Sequence, residues 1–277
     1  MSTVIHPGAP AGAAAASGPA TPRRTRPASR WRQRWYRMVI PFAVVGMLIG
    51  ITLVVRALEE PDLGDPATLS PISSAPDGSQ ELAEQLRQQG VTVTHVTDPE
   101  VAIQLIESAP EAVLFVAKPS LVSAALAGAA DRNPGIRRVV MVAPNQLQLL
   151  AAGVAAHQQG GKRWATGVAE PRCEVPEAVA AGRAAAVRQR YFTSPEEGGE
   201  VCYGGGLVRL APTEADPEVF VIGAAQPFTN RRLAEYGNRE LALGLLGGHQ
   251  QVIWLDALPM PDFNLELPQL KPPSRSE

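Results

Sequence analysis

Ala112-Val113-Leu114-Phe115-Val116-Ala117 (AVLFVA) is apolar at every position and stands between Pro110-Glu111 and Lys118-Pro119-Ser120. A strand with one wet face alternates apolar and polar residues. A short run apolar throughout, closed at both ends by turn formers, predicts a strand buried on both faces, as in a parallel sheet. Upstream, Val91 to Val96 (VTVTHV) alternates β-branched and polar residues. It is followed by Thr97-Asp98-Pro99-Glu100, a cap with proline in the first helical turn, and then by a short helix through Val101 and Leu105 to near Pro110. Downstream come a helix at Leu121 to Ala130, a strand at Arg138 to Ala143 (RVVMVA) and a helix from Gln146 to Ala155. Val219 to Ile222 (VFVI) and Val252 to Leu255 (VIWL) return to the texture of buried strands, with leucine-rich Leu241 to Leu246 between them. Strand and helix in this rhythm predict an α/β fold: an open, mostly parallel sheet with helices on both faces.

The domain is expected over residues 77–258. Asp77-Gly78-Ser79-Gln80 has the D-x-x-Q form of a capping box, and Leu82 and Leu86 give helical spacing up to Gly90. Gly237 is expected to end one helical turn in the left-handed conformation, and Asn238 to cap the next helix. The rhythm breaks over 158–216, which holds both cysteines, Gly204-Gly205-Gly206 and short β-like pieces at Val187 to Thr193 and Leu207 to Leu210. That stretch is expected to be an inserted β-hairpin lobe. Its glycine run reads as a turn or bulge rather than a phosphate cradle, because a strand and not a helix follows.

Before the domain, Met38 to Val55 is apolar and free of charge, about 27 Å long at ~1.5 Å per residue, which predicts one transmembrane helix. Pro41 is placed in its first turn, and Gly46 and Gly50 are spaced for helix pairing. Seven arginines between Arg23 and Arg37 precede the run, with no acidic residue before Glu59, and Trp31, Trp35 and Tyr36 suit a membrane interface. This pattern marks the cytoplasmic side, so residues 1–37 are expected to be a disordered Arg-rich cytoplasmic tail and all beyond 55 to lie outside. The length of the charged region and of the apolar run favour an uncleaved signal anchor over a cleaved signal peptide. No second run long enough to span follows Val55, so one crossing is expected. Residues 56–76, with Pro61, Pro66, Pro71 and Pro76, are expected to form an extended stalk, and 259–277 a flexible tail.

The formal net charge of −2 hides a split: Arg56 and the arginines before it leave 17 basic against 27 acidic residues beyond the span, about −10. An acidic outer domain excludes nucleic acid as the expected partner. Cys173 and Cys202 are the two cysteines, and in an oxidising compartment they are expected to pair, contributing roughly 3 to 4 kcal/mol in the chain-entropy account. No metal is expected, since there is no C-x-x-C and His6, His95, His157 and His249 fall at no ligand or triad spacing. No nucleophile elbow is present, and His95, alternating within a strand, reads as a packed or outward imidazole. Ligands of such sheets sit at the carboxyl ends of the strands. Lys118, Asn145, Thr229 and Asn230 fall there and are the candidate ligand-binding residues, with helix capping by Thr229 and Asn230 the simpler role.

From Thr229 to Leu255 (TNRRLAEYGNRELALGLLGGHQQVIWL) the sequence resembles a family of membrane proteins of unknown function common in high-GC Gram-positive bacteria. The resemblance extends to DGSQELAEQLRQQGVTVTHV and to the segments around Cys173 and Cys202-Tyr203-Gly204-Gly205. It implies a degenerate class I glutamine amidotransferase-like (flavodoxin-like) domain. It also implies a place beside a MoxR-type AAA+ ATPase and companion membrane proteins, in envelope assembly or maturation. Many relatives continue into a second span and a cytoplasmic tail, whereas this sequence stops at Glu277, so contact with such an ATPase would fall to the Arg-rich tail. The expected function is a membrane-anchored extracytoplasmic module, non-catalytic and without cofactor, that binds a partner protein or small ligand. The alternatives are an extracytoplasmic hydrolase or amidase with a dispersed site, and a stalked structural subunit of a membrane complex.

Overall fold

The computed structural model describes residues 29–58, 60–109, 111–119, 136–194, 196, 198–213 and 216–257. The tail before residue 29, the helix expected at Leu121 to Ala130 and the tail expected from residue 259 lie outside the described residues.

Helix α1 spans Ser29–Leu58 and includes Met38–Val55, which is long and apolar enough to cross a membrane. Because α1 starts upstream of the apolar run, Pro41 lies inside the helix and not in its first turn, where its missing N–H breaks one backbone bond.

The domain contains β1 (Thr92–Val96), β2 (Val113–Val116), β3 (Arg138–Val142), β4 (His157–Gln158), β5 (Gly167–Ala169), β6 (Ala184–Val187), β7 (Tyr191–Phe192), β8 (Gly199–Cys202), β9 (Leu207–Leu210), β10 (Glu218–Ile222) and β11 (Gln251–Leu255). Its helices are α2 (Gln80–Gln88), α3 (Pro99–Ser108), α4 (Gln146–Ala151), α5 (Pro176–Ala181) and α6 (Asn238–Leu246). The main sheet runs β1-β11-β2-β3-β10-β9-β8. The pairs β1·β11, β11·β2, β2·β3 and β3·β10 are parallel, and β9 and β8 continue the sheet antiparallel. The β8–β9 hairpin, expected within a separate lobe, therefore forms an edge of the main sheet. The short ribbons β4·β7 and β5·β6 stand outside it. Tyr203 and Gly204 to Gly206 make the hairpin turn, and Gly204 and Gly205 have φ of 62° and 96°, which favour glycine.

Period-two alternation within buried strands sorts the core into two layers. Phe115, Val140, Phe220 and Trp254 face one side with Leu82 and Leu86 of α2, Ala178 of α5 and Leu241 and Leu245 of α6. Leu114, Val116, Val139 and Ile253 face the other with Ala102 and Ile106 of α3. The ring of Phe115 lies 4.6 Å from Trp254 and 4.9 Å from Phe228, centroid to centroid, which centres the larger layer on aromatic contacts.

Three local expectations change in the structure. The first concerns the stalk: residues 60–79 are folded onto the domain. Leu69 is fully buried, its N–H donates to Asp77 O at 2.8 Å and its carbonyl accepts Trp254 Nε1 at 2.9 Å. Asp62 and Asp65 close turns by accepting from Gly64 N and Ala67 N, so the prolines here sit in a series of tight turns and not in an extended rod. Second, the capping box at Asp77 does not form. Asp77 pairs with Arg231 at 2.9 Å, the Ser79 hydroxyl donates to Phe228 O at 2.7 Å, and the first-turn amide of Glu81 donates to Asn230 Oδ1 at 3.0 Å. Third, Gly237 has φ −93° and is not left-handed. A Cβ there would stand 1.7 Å from Ala181 O, so the position needs glycine for close approach of backbones. Asn238 does not cap α6 with its side chain, which accepts from Ala185 N and donates to Arg232 O, both at 2.8 Å.

Candidate functional site

The carboxyl ends of β1, β11 and β2 lie side by side, so residues distant in sequence meet there. Lys118 follows β2, Asp256 follows β11, and His95 is the penultimate residue of β1. Lys118 Nζ donates to Asp256 Oδ1 at 2.6 Å and to Pro66 O at 3.1 Å, and His95 Nε2 lies 3.2 Å from Asp256 Oδ2. The side chains of Lys118 and Asp256 are only 1% and 3% exposed, and that of His95 is 21% exposed. Two charges taken out of water this far persist only as a pair with their remaining hydrogen-bonding positions filled. Asp256 meets that condition by bridging an ammonium and an imidazole, and Pro66 takes a further ammonium proton. The group is thus a closed polar network at the strand ends, with one half-buried imidazole at its rim.

The other expected site residues are occupied elsewhere. Asn145 caps α4 in a capping box: its Oδ1 accepts Gln148 N at 2.9 Å and its N–H donates to Gln148 Oε1 at 2.6 Å. Thr229 is buried and donates to Gln226 O at 3.1 Å. Asn230 Nδ2 donates to Ser73 O at 3.0 Å and Ala75 O at 2.8 Å while its Oδ1 takes the Glu81 amide. Among the described residues no hydrogen bond or ion pair joins Lys118 to Asn145, Thr229 or Asn230. The four candidates are separate fixtures along one edge.

His95 reads in the sequence as a packed or outward imidazole and not as a site residue, and Asp256 is not singled out there, although a lone carboxylate directly after VIWL is an unusual residue to bury. Glu60 was also missed. Its carboxylate accepts Thr166 N at 2.6 Å, Thr166 Oγ1 at 3.1 Å and Gln226 Nε2 at 2.5 Å, and it pairs with Arg188. Burial lowers the pKa of Arg188 from its usual value, and Glu60 supplies the countercharge.

At the opposite end of the sheet Arg138 donates to Glu218 at 2.6 Å, to Glu177 at 2.7 Å and to the carbonyls of Gly244 and Leu245. This network ties β3, β10, α5 and α6 together. Among the described residues no group of three or more His, Cys, Asp or Glu side chains could hold a metal ion. Cys173 and Cys202 form a disulfide with Cα atoms 5.2 Å apart.

Residues 71–246 match the family described as Domain of unknown function (DUF4350). That match begins inside the segment expected as a stalk, in keeping with its burial. The chain is 28% identical over 255 residues to "Uncharacterized membrane protein Rv3691" of Mycobacterium tuberculosis (strain ATCC 25618 / H37Rv), covering 86% of this chain and 59% of that protein. It therefore spans less than two thirds of the relative's length. No solved structure matches. The membrane-protein relative and the apolar helix α1 together support a membrane location.

Proposed function

Because the chain belongs to the DUF4350 family, we propose that it acts as a membrane-anchored, non-catalytic α/β binding module, held outside the cell by a single N-terminal anchor and serving a membrane complex. One observation carries the reading. The strand-end crevice where an open α/β sheet receives a ligand holds the protein's own residues 60–79, which bond to Lys118 through Pro66, to Trp254 through Leu69 and to Asn230 through Ser73 and Ala75. Side chains that would meet a substrate hold the fold together there, and binding falls to other surfaces. The arginine run before the apolar segment Met38–Val55 and the oxidised cysteine pair both favour the exported orientation. An amidotransferase-like ancestry and a companion MoxR-type ATPase belong to this proposal as implications of the family resemblance.

The test is crosslinking of the full-length protein in native membranes followed by capture and mass spectrometry. Specific co-capture of membrane-complex proteins, the ATPase among them, is expected. Hydrolase or amidase turnover by the purified full chain, abolished by Asp256→Asn with folding intact, would overturn it. A second reading has one observation in its favour: His95 is half-buried against the buried carboxylate of Asp256, an arrangement that can orient an imidazole as a general base. On that reading His95→Ala removes turnover without lowering the melting temperature.

A further inference from the structure

Next to the disulfide the domain carries an open cleft of about 300 Å³. One wall is formed by β5 and the residues following it to Arg172, the other by Tyr203 and Gly204 of the hairpin turn. The disulfide ties these walls directly, since Arg172 precedes Cys173 and Tyr203 follows Cys202. Tyr203 N donates to Pro171 O at 2.8 Å, and the buried Tyr203 hydroxyl donates toward Ala178 O and Gly182 O at 3.1 and 3.0 Å. The cleft is therefore preformed, with covalent and hydrogen-bonded supports behind both walls.

Its charge runs against that of the domain. In a chain with 27 acidic residues, three exposed arginines, Arg163, Arg172 and Arg190, line this one cleft. Among the described residues none of the three guanidinium groups makes an ion pair or hydrogen bond with a protein side chain. The acidic residue of the rim, Glu170, is paired with Arg183 at 3.4 Å. Val168 and Val187 add apolar surface to the lining.

We propose that this cleft binds a small phosphate-bearing anion, held by Arg163, Arg172 and Arg190. One carboxylate satisfies a single guanidinium fork, whereas three unpaired forks match the charge and the several acceptor oxygens of a phosphate ester or diphosphate. The volume lies at the small end for ligand sites and suits a phosphate group with a short organic part, not a polymer. The proposal rests on the reading of the chain as a binding module and names one ligand class for it. Two sources offer this chemistry, a soluble phosphate ester and the headgroup of an anionic lipid.

Inorganic pyrophosphate is the probe, titrated calorimetrically into the full-length protein in phosphatidylcholine nanodiscs. Saturable one-site binding is expected, weakened about tenfold or more by each of Arg163→Ala, Arg172→Ala and Arg190→Ala, and unchanged by Arg137→Ala, an exposed arginine outside the cleft. The glutamine variant at the same position, which keeps the aliphatic stem and removes the charge, replaces any alanine variant whose melting temperature falls without the probe. Nanodiscs containing phosphatidylglycerol separate the sources: competition with pyrophosphate identifies a lipid headgroup, and unchanged affinity identifies a soluble ligand. No saturable binding, or equal weakening by Arg137→Ala, overturns the anion site. Partner capture intact beside absent anion binding would remove the cleft and leave the binding-module reading standing.

Discussion

At the scale of single residues, Asn230 shows how one amide joins the loop after β10 to a remote stretch of the chain around the start of α2. Its side chain holds two carbonyls of the 60–79 segment and caps α2 from across the fold. Asn230→Ala removes three hydrogen bonds to part-buried and exposed backbone groups, and a loss of about 1 to 2 kcal/mol is expected, measured as a lower urea midpoint with unchanged slope. The position of Asn230 at the edge was legible because a polar pair follows directly after the last turn from a buried strand. Its role was not legible, because a cap supplied from a distant segment leaves no local pattern. The same holds for Lys118. A lysine after AVLFVA marks the strand end, but its partner Asp256 becomes a neighbour only because β11 inserts between β1 and β2.

At the scale of elements, every strand of the parallel core was readable to within a residue or so: full burial of VLFV, VVMV and VIWL writes itself as continuous apolar runs, and the half-exposed β1 as alternation. Residues 60–79 were not readable. Proline at short intervals belongs equally to an extended spacer and to consecutive turns, and only the burial of Leu69 separates the two. The segment's weight in the fold follows: Leu69→Ala is expected to cost about 2 to 5 kcal/mol, whereas nearby Ile72→Ala, at a side chain 67% exposed, stays within about 0.5 kcal/mol. Chemical denaturation of the two variants checks the contrast, and a free stalk would leave both unchanged. The hairpin β8–β9 misled for a different reason. Its alternating residues fit a separate ribbon or a sheet edge, and pairing with β10 is a tertiary choice.

At the scale of the whole molecule, the disulfide links compartment to stability. Cys173 and Cys202 close a loop of sequence separation 29, so reduction is expected to lower stability by about 3 kcal/mol, read from urea unfolding of the full chain with and without reductant. Non-reducing mass spectrometry of protein taken from native membranes should find the pair oxidised, and two free thiols there would contradict an exported domain.

The strand order carries one more consequence, for synthesis. The polypeptide makes β1 and β2 early, yet they never touch as ladder partners: the slot between them is filled by β11, Gln251–Leu255, which is made long after β2, Val113–Val116. Until that keystone arrives, both slot edges offer unpaired amides and carbonyls to any passing chain. The nascent protein therefore passes through an aggregation-prone interval that ends only when β11 slides home.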